Sequence, residues 1–393
     1  MNDTHLARLL VLCARPDGAT DAGEAQDRLA AAVGDWDRAM AAAAAEGVLP
    51  LLYWRLRDRP GAVPGAVLSR LRAAFLGNLA RNARIYRDLE PVLASARRAG
   101  LRASLTKGGR LAVDLYPDIG LRPFWDIDLV VHPADWPGLK RLLAGLGFAE
   151  ASGPGPDGGG QEADPAPGWT YSPYFRKGGL FLELHDHPLG LHFRGRGEDE
   201  LWPAARPLRI GGTEVLVLPD EVELCFLCVH AQQHSYQRLV WLADIARLAS
   251  RPGLDWGRVS GLARDQRVRG PVFHGLRLAA ETWPRCVPAG ALGALRPGPL
   301  EEAGQGLLWP PRATASRRPA PAWPCYMPTI FSLWERRDPL LAVRTLREIF
   351  FPPRAWLAAA AGADPRSAAL GGRYLERLLR PAVTAARRLM GTG

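Results

Sequence analysis

Leu105-Thr106-Lys107-Gly108-Gly109-Arg110, followed after a short helical stretch by Phe124-Trp125-Asp126-Ile127-Asp128-Leu129-Val130-Val131, decides how the chain is read. The stretch 101–105 is short and extended and runs straight into the Lys-Gly-Gly turn, after which Arg110 to Tyr116 takes up helical spacing. Ile127, Leu129 and Val131 then alternate with Asp126, Asp128 and Val130, the two-residue period of a strand, which puts both carboxylates on one face. A strand, a glycine turn, a helix and an acidic strand follow one another within some thirty residues.

Two carboxylates on one face can share divalent cations, and Mg²⁺ in particular takes hard oxygen ligands together with substrate phosphates. Two-metal phosphoryl transfer needs a further carboxylate from elsewhere in the chain. Glu183, in Leu180-Phe181-Leu182-Glu183-Leu184-His185, is the candidate, because strand alternation points Glu183 and His185 away from the three leucines. The glycines of the turn allow backbone N–H groups to approach phosphate, and the following helix N-terminus favours anions. Acidic residues at strand ends are often solvated or cap helices, and a Gly-Gly pair is often an ordinary turn. Order and spacing together make the functional reading.

Outward from this core, Thr4 to about Arg98 is helical, with Leu68 to Arg98 forming one long helix or two abutting ones. Pro133 to Leu146 reads as a helix closed by Gly147, and Gly153 to Gly168 as an aperiodic loop. Strands are expected over 169–176 and 179–185, and a hairpin turning at Gly211-Gly212 over 206–218. Helices follow at about 220–234, 238–250, 255–266 and 270–283, a proline-rich linker at 287–325, and further helices between 332 and 390. The expected fold class is α+β: a small mixed sheet as catalytic core (100–218) between an N-terminal helical region (1–99) and a helical bundle (219–286), with linker and C-terminal helices over 287–393.

Among 393 residues, 47% are apolar, enough for substantial cores. The absence of a long apolar run and of a basic-then-apolar N-terminus points to a soluble, cytoplasmic protein without a membrane partner. Five scattered cysteines suit a reducing compartment. Cys225, Cys228, His230 and His234 offer zinc-type ligands, but they fall within one helix where 225 and 228 share a face and 230 points away from both, and the cysteines are read as core residues. The net charge of +10 favours anionic partners, nucleotides or nucleic acid, or is simply a solvated surface.

The segment 105–131 resembles the uncharacterised nucleotidyltransferase family of the DNA polymerase beta superfamily, in which a Lys-Gly turn, a Tyr-Pro, an Arg and an Asp-x-Asp-Leu-Val strand occur in this order. Glu46-Gly47-Val48-Leu49-Pro50, Glu183-Leu184-His185 and the His230, His234, Trp241–Ile245 region resemble its flanking segments. The turn departs from the superfamily's usual Gly-Ser pair, and Asp186 stands where the family tends to have Trp. The resemblance implies a small mixed sheet, Mg²⁺ or Mn²⁺, and transfer of a nucleoside monophosphate from an NTP, ATP foremost, with release of pyrophosphate.

On that basis Asp126, Asp128 and Glu183 are expected to hold the metal ions and carry catalysis, and Lys107, Gly108, Gly109 and Arg122 to hold the nucleotide. His185 either orients Glu183, receives a proton, or is structural. Asp244 either reaches the site or pairs locally with Arg247 or His234. Trp125 packs in the core or flanks the nucleobase. The acceptor is expected to be a small molecule or peptide. RNA is the alternative acceptor, suggested by the charge and by Arg70, Arg72, Arg81, Arg84 and Arg87, and a non-catalytic binding protein is the other alternative.

Overall fold

The computed structural model describes residues 3–16, 23–59, 61–151, 174–185, 201–234 and 236–299, scattered positions from 302 to 368, and the helix Leu370–Leu389. Among these residues lie thirteen helices and a seven-stranded mixed sheet. The Gly153–Gly168 run, the first part of the strand expected over 169–176 and most of the helices expected after 332 lie outside the described residues.

Four helices open the chain: α1 (Asp3–Ala14), α2 (Gly23–Ala31), α3 (Trp36–Ala45) and α4 (Leu49–Leu56). The long α5 (Gly65–Arg98) follows as one continuous element of 34 residues despite Pro91. Its apolar positions recur three and four apart, the spacing that makes one helix face apolar. Val67, Leu71 and Phe75 sink into the helical core, whereas Ile85, Leu89, Val92 and Ala96 sink into the core beneath the sheet. One helix thus belongs to both layers.

The sheet contains β1 (Ala103–Thr106), β2 (Ile127–Val131), β3 (Ala149–Ala151), β4 (Tyr174–Lys177), β5 (Leu180–His185), β6 (Arg206–Ile210) and β7 (Thr213–Val217). Their order is β3-β4-β5-β2-β1-β7-β6. β2 runs antiparallel to β1 and parallel to β5, and the expected hairpin joins β6 to β7. β3 is an addition to the strands legible in the sequence. Helices α6 (Lys107–Asp114) and α7 (Trp136–Gly145) follow β1 and β2, and Gly147 ends the latter with a φ of 82° that suits glycine.

After the sheet come α8 (Asp220–Gln233), α9 (Leu239–Ala249), α10 (Trp256–Asp265), α11 (Arg269–Thr282) and the short α12 (Ala289–Leu295), with Leu370–Leu389 as α13. The helix Ala289–Leu295 corrects part of the stretch expected as linker: Ala291 and Leu295 bury against the bundle, and Pro288 precedes the helix without needing to donate. Leu9, Leu52 and Leu71 from before the sheet share one core with Leu224, Leu242 and Leu276 from after it. Among the described residues no helix is long and apolar enough to cross a membrane.

A candidate metal and phosphate site

Strand register assembles the acidic cluster. Asp128 on β2 pairs with Thr106 of β1 on one side and Glu183 of β5 on the other, and Glu183 pairs in turn with Tyr174 of β4. Because side chains alternate, Leu180, Leu182 and Leu184 fill the core on one face while Glu183 and His185 share the opposite face with Asp128. One ligand atom each from Asp128, Glu183 and His185 lies within 4.8 Å of the others. His185 Nε2 stands 2.9 Å from Asp128 Oδ1 and 3.6 Å from Glu183 Oε2. Asp126 is half-buried and sits one residue before β2 rather than within it. It is not one of the three converging groups, but its charge acts on both Lys107 and Tyr174.

Lys107 reaches into this cluster. Its Nζ donates to Asp128 Oδ1 at 2.7 Å and lies 3.8 Å from Glu183 Oε2. Burial disfavours both charges, but their mutual attraction wins: the Asp128 carboxyl is held well below the ordinary carboxylate range by Lys107 and His185, and the Lys107 ammonium is held above its usual value by Asp128 and Glu183. Tyr174, unremarked in the sequence, is half-buried and hydrogen-bonded to Glu183, and burial and the neighbouring carboxylates push its phenol upward. Its place was encoded only in the pairing of β4 with β5.

The glycine turn forms the first turn of α6. A Cβ on Gly108 would fall 2.7 Å from Cβ of Phe124, and one on Gly109 would fall 2.8 Å from Cδ1 of Ile127, so both glycines let α6 lie flush against its surroundings. The α6 N-terminus already holds a protein anion. Glu223 of α8 accepts the Lys107 backbone N–H at 2.8 Å and the Thr106 hydroxyl at 2.7 Å, with Arg110 Nη1 at 3.2 Å. Burial pushes its carboxyl above the ordinary value despite these donors. Lys107 adopts a φ of 50°, and this left-handed residue turns the chain from β1 into the helix.

Arg122 and Asp244 form a separate buried pair. Arg122 Nε and Nη2 donate to Asp244 Oδ2 at 2.9 and 2.7 Å, Nη1 donates to the Pro123 carbonyl, and Tyr116 donates its hydroxyl to Asp244 Oδ1 at 2.7 Å. Asp244 is thus bound by a residue from the loop that leads into Asp126. Asn78 and Asn82 of α5 hold the same loop, donating to the carbonyls of Gly120, Ile119 and Arg122 at 2.7, 2.7 and 3.0 Å. Of the residues behind the RNA alternative, Arg70 pairs with Asp37, Arg87 with Asp88, and Arg81 stacks on the Trp125 ring at 3.8 Å.

Cys225 and Cys228 are fully buried, the first against the Val259 carbonyl and the second beneath Gly275. His230 instead meets Trp241 edge-on, and the His234 ring lies tilted against it. A cavity of about 580 Å³ in the amino-terminal helices, lined by Arg15, Trp54, Arg55 and Arg59 among others, includes none of the acidic-site residues, and Asp27 and Asp58 offset its cations.

The sheet and its carboxylate cluster define an α+β protein with a candidate metal site on its central strands. The chain belongs to the family described as uncharacterised nucleotidyltransferase, which matches residues 33–284. Among solved structures it is similar to an antigenic nucleotidyltransferase-like protein from Paracoccidioides brasiliensis, at 18% identity over 53% of this chain and 92% of that chain, with a TM-score of 0.35. Comparison with curated proteins gives no match.

Proposed function

We propose that the protein transfers a nucleoside monophosphate from an NTP to a small-molecule or peptide acceptor and releases pyrophosphate. The observation that carries this reading is the convergence of Asp128, Glu183 and His185 on one face of the sheet, with Lys107 among them, in a chain of the nucleotidyltransferase family. The carboxylates of Asp128 and Glu183 suit Mg²⁺ or Mn²⁺ and together with Asp126 would hold the ion, with His185 beside them. Such an ion supplies charge stabilisation to the phosphoryl oxygens and acidifies a coordinated hydroxyl.

The chain's own residues do the rest. The acceptor oxygen forms a bond to the α-phosphorus, the bond from that phosphorus to the bridging oxygen breaks, and pyrophosphate leaves in line. Glu183, the most accessible of the three ligands and fixed by Tyr174, takes the acceptor's proton. The Lys107 ammonium offsets charge on the triphosphate, and the Gly108-Gly109 turn lies under the phosphates. With Glu223 already on the Lys107 N–H, the phosphate contacts fall to the Lys107 side chain and to the turn's other amides. Arg122 acts through Asp244 as a positioning residue for the loop that carries Asp126.

The test uses α- and γ-labelled NTPs with Mg²⁺ or Mn²⁺ and candidate acceptors. Transfer of α-label with pyrophosphate release, lost by at least about 100-fold in Asp128→Asn, is expected, since metal-assisted charge stabilisation is worth several kcal/mol. Transfer of γ-label, or activity surviving Asp126→Asn combined with Asp128→Asn, would overturn the reading.

A further inference from the structure

Phe226 and His230 on α8 and His234 at its C-cap recur every fourth residue, so their rings rise along one face of the helix by about 6 Å per step. The row begins at the acidic site: the Phe226 ring meets His185 edge-on at 5.7 Å and receives the Lys107 ammonium at 5.2 Å. It ends in the open. His230 and Trp241 are half-buried, and His234 is exposed. The three outer rings touch one another, with centroids 4.6 Å apart for His230 and His234, 5.3 Å for His230 and Trp241, and 5.2 Å for His234 and Trp241.

Trp241 is held in place from the amino-terminal region. Glu46 accepts the Leu239 N–H on its carboxylate at 2.6 Å and the Val240 N–H on its carbonyl at 3.1 Å, which fixes the first turn of α9. Gly47 there has a φ of 71°, and a Cβ on it would fall 2.7 Å from Val240 Cγ1. The ring cluster therefore presents a fixed surface.

We propose that His230, His234 and Trp241 form the platform on which the nucleobase of the substrate nucleotide stacks, while its phosphates meet Lys107 and the carboxylates. This rests on the nucleotidyl-transfer reading of the same site. A nucleotide is a flat heteroaromatic ring tethered to a chain of anions, and the protein offers the matching sequence: a cation among metal ligands, then a row of rings leading outward. The His230 imidazole is uncharged at neutral pH, because burial and then the Lys107 charge hold it low. The three rings are tilted to one another, so a base lies on the face of one and meets the others edge-on. Trp125, which directly precedes Asp126, has Arg81 lying on its ring at 3.8 Å, closer than Arg238 lies to the Trp241 ring, at 5.6 Å.

The experiment measures binding of two probes to the full chain with Mn²⁺: α,β-methylene-ATP, which carries a base, and inorganic tripolyphosphate, which does not. Trp241→Ala and the exposed His234→Ala are each expected to raise the nucleotide Kd by about tenfold, in the range of base–aromatic stacking, and to leave the tripolyphosphate Kd unchanged. Nucleotide affinity unchanged in both variants, an equal loss for both probes, or a loss confined to Trp125→Ala would overturn the platform and leave the transfer reading standing. If the unmodified chain binds neither probe, the transfer reading itself falls and the platform with it.

Discussion

Glu183 lies directly across from Asp128 on the parallel neighbouring strand, and the ammonium of Lys107 sits between them, 2.7 Å from one and 3.8 Å from the other. A divalent cation entering this cluster meets a resident positive charge. Lys107→Met is therefore expected to tighten Mn²⁺ binding by the nucleotide-free protein several-fold while weakening tripolyphosphate binding. Mn²⁺ titration followed by electron paramagnetic resonance reads the first effect; weaker Mn²⁺ binding in the variant would show that Lys107 organises the ligands instead of competing with the metal.

The same pair predicts a pH-dependent stability. The Asp128 carboxyl is depressed in the folded chain because Lys107 and His185 overcome the effect of burial. The stabilisation is present in full above the unfolded-chain value of about 4 and fades as pH falls through the lower folded value. Asp128→Asn leaves the Lys107 ammonium without its nearest anion, a loss of about 3 kcal/mol near pH 7. Measured in EDTA, the gap in thermal midpoint between wild type and variant should narrow below about pH 4; a gap that widens there would contradict the pairing.

Arg122 and Asp244 stabilise by being paired. Arg122→Met or Asp244→Asn alone strands a buried charge and should cost about 3–5 kcal/mol in urea unfolding. Arg122→Met with Asp244→Leu should recover much of this. Arg122→Lys should not, since Lys lacks the fork that Asp244 and the Pro123 carbonyl engage. If Arg122 instead bound phosphate directly, the single variants would keep their stability and lose only nucleotide affinity.

The two glycines of the turn should respond differently to alanine. Gly108→Ala meets Cβ of Phe124, an atom next to the backbone, and should cost about 1–3 kcal/mol by overpacking. Gly109→Ala meets the terminal methyl of Ile127, which can rotate away, and the gain of about 1 kcal/mol from alanine in a helix offsets most of the strain. Urea midpoints check the order. Equal stability of both variants would mean that close packing is not what holds glycine at position 108.

The acidic strand, the glycine turn, the Gly211-Gly212 hairpin and the Glu183 strand were legible because each is announced by local periodicity or turn chemistry. The partners of these elements were not. Asp128 faces Glu183 only because β2 chose β5 as its parallel neighbour, and Glu223 reaches the α6 N-terminus from 117 residues beyond Thr106. The Arg122–Asp244 pair spans 122 residues, so only folding brings it together. The four-residue spacing of Phe226, His230 and His234 was visible in the sequence, but the contact of the two histidines with Trp241 was not, because that residue sits on another helix and only folding brings it close.

Because α5 runs through both cores, and helices from before and after the sheet interlock in one of them, the strands bearing the carboxylates are tied to both ends of the chain. A fragment cut to residues 100–218 would retain Asp126, Asp128 and Glu183 yet lose Glu223 from the α6 N-terminus, Asp244 from Arg122, and the asparagines that hold the loop before Asp126. The site cannot be transplanted as a cassette: its ligands come from the sheet, but the parts that aim them come from the two ends of the chain.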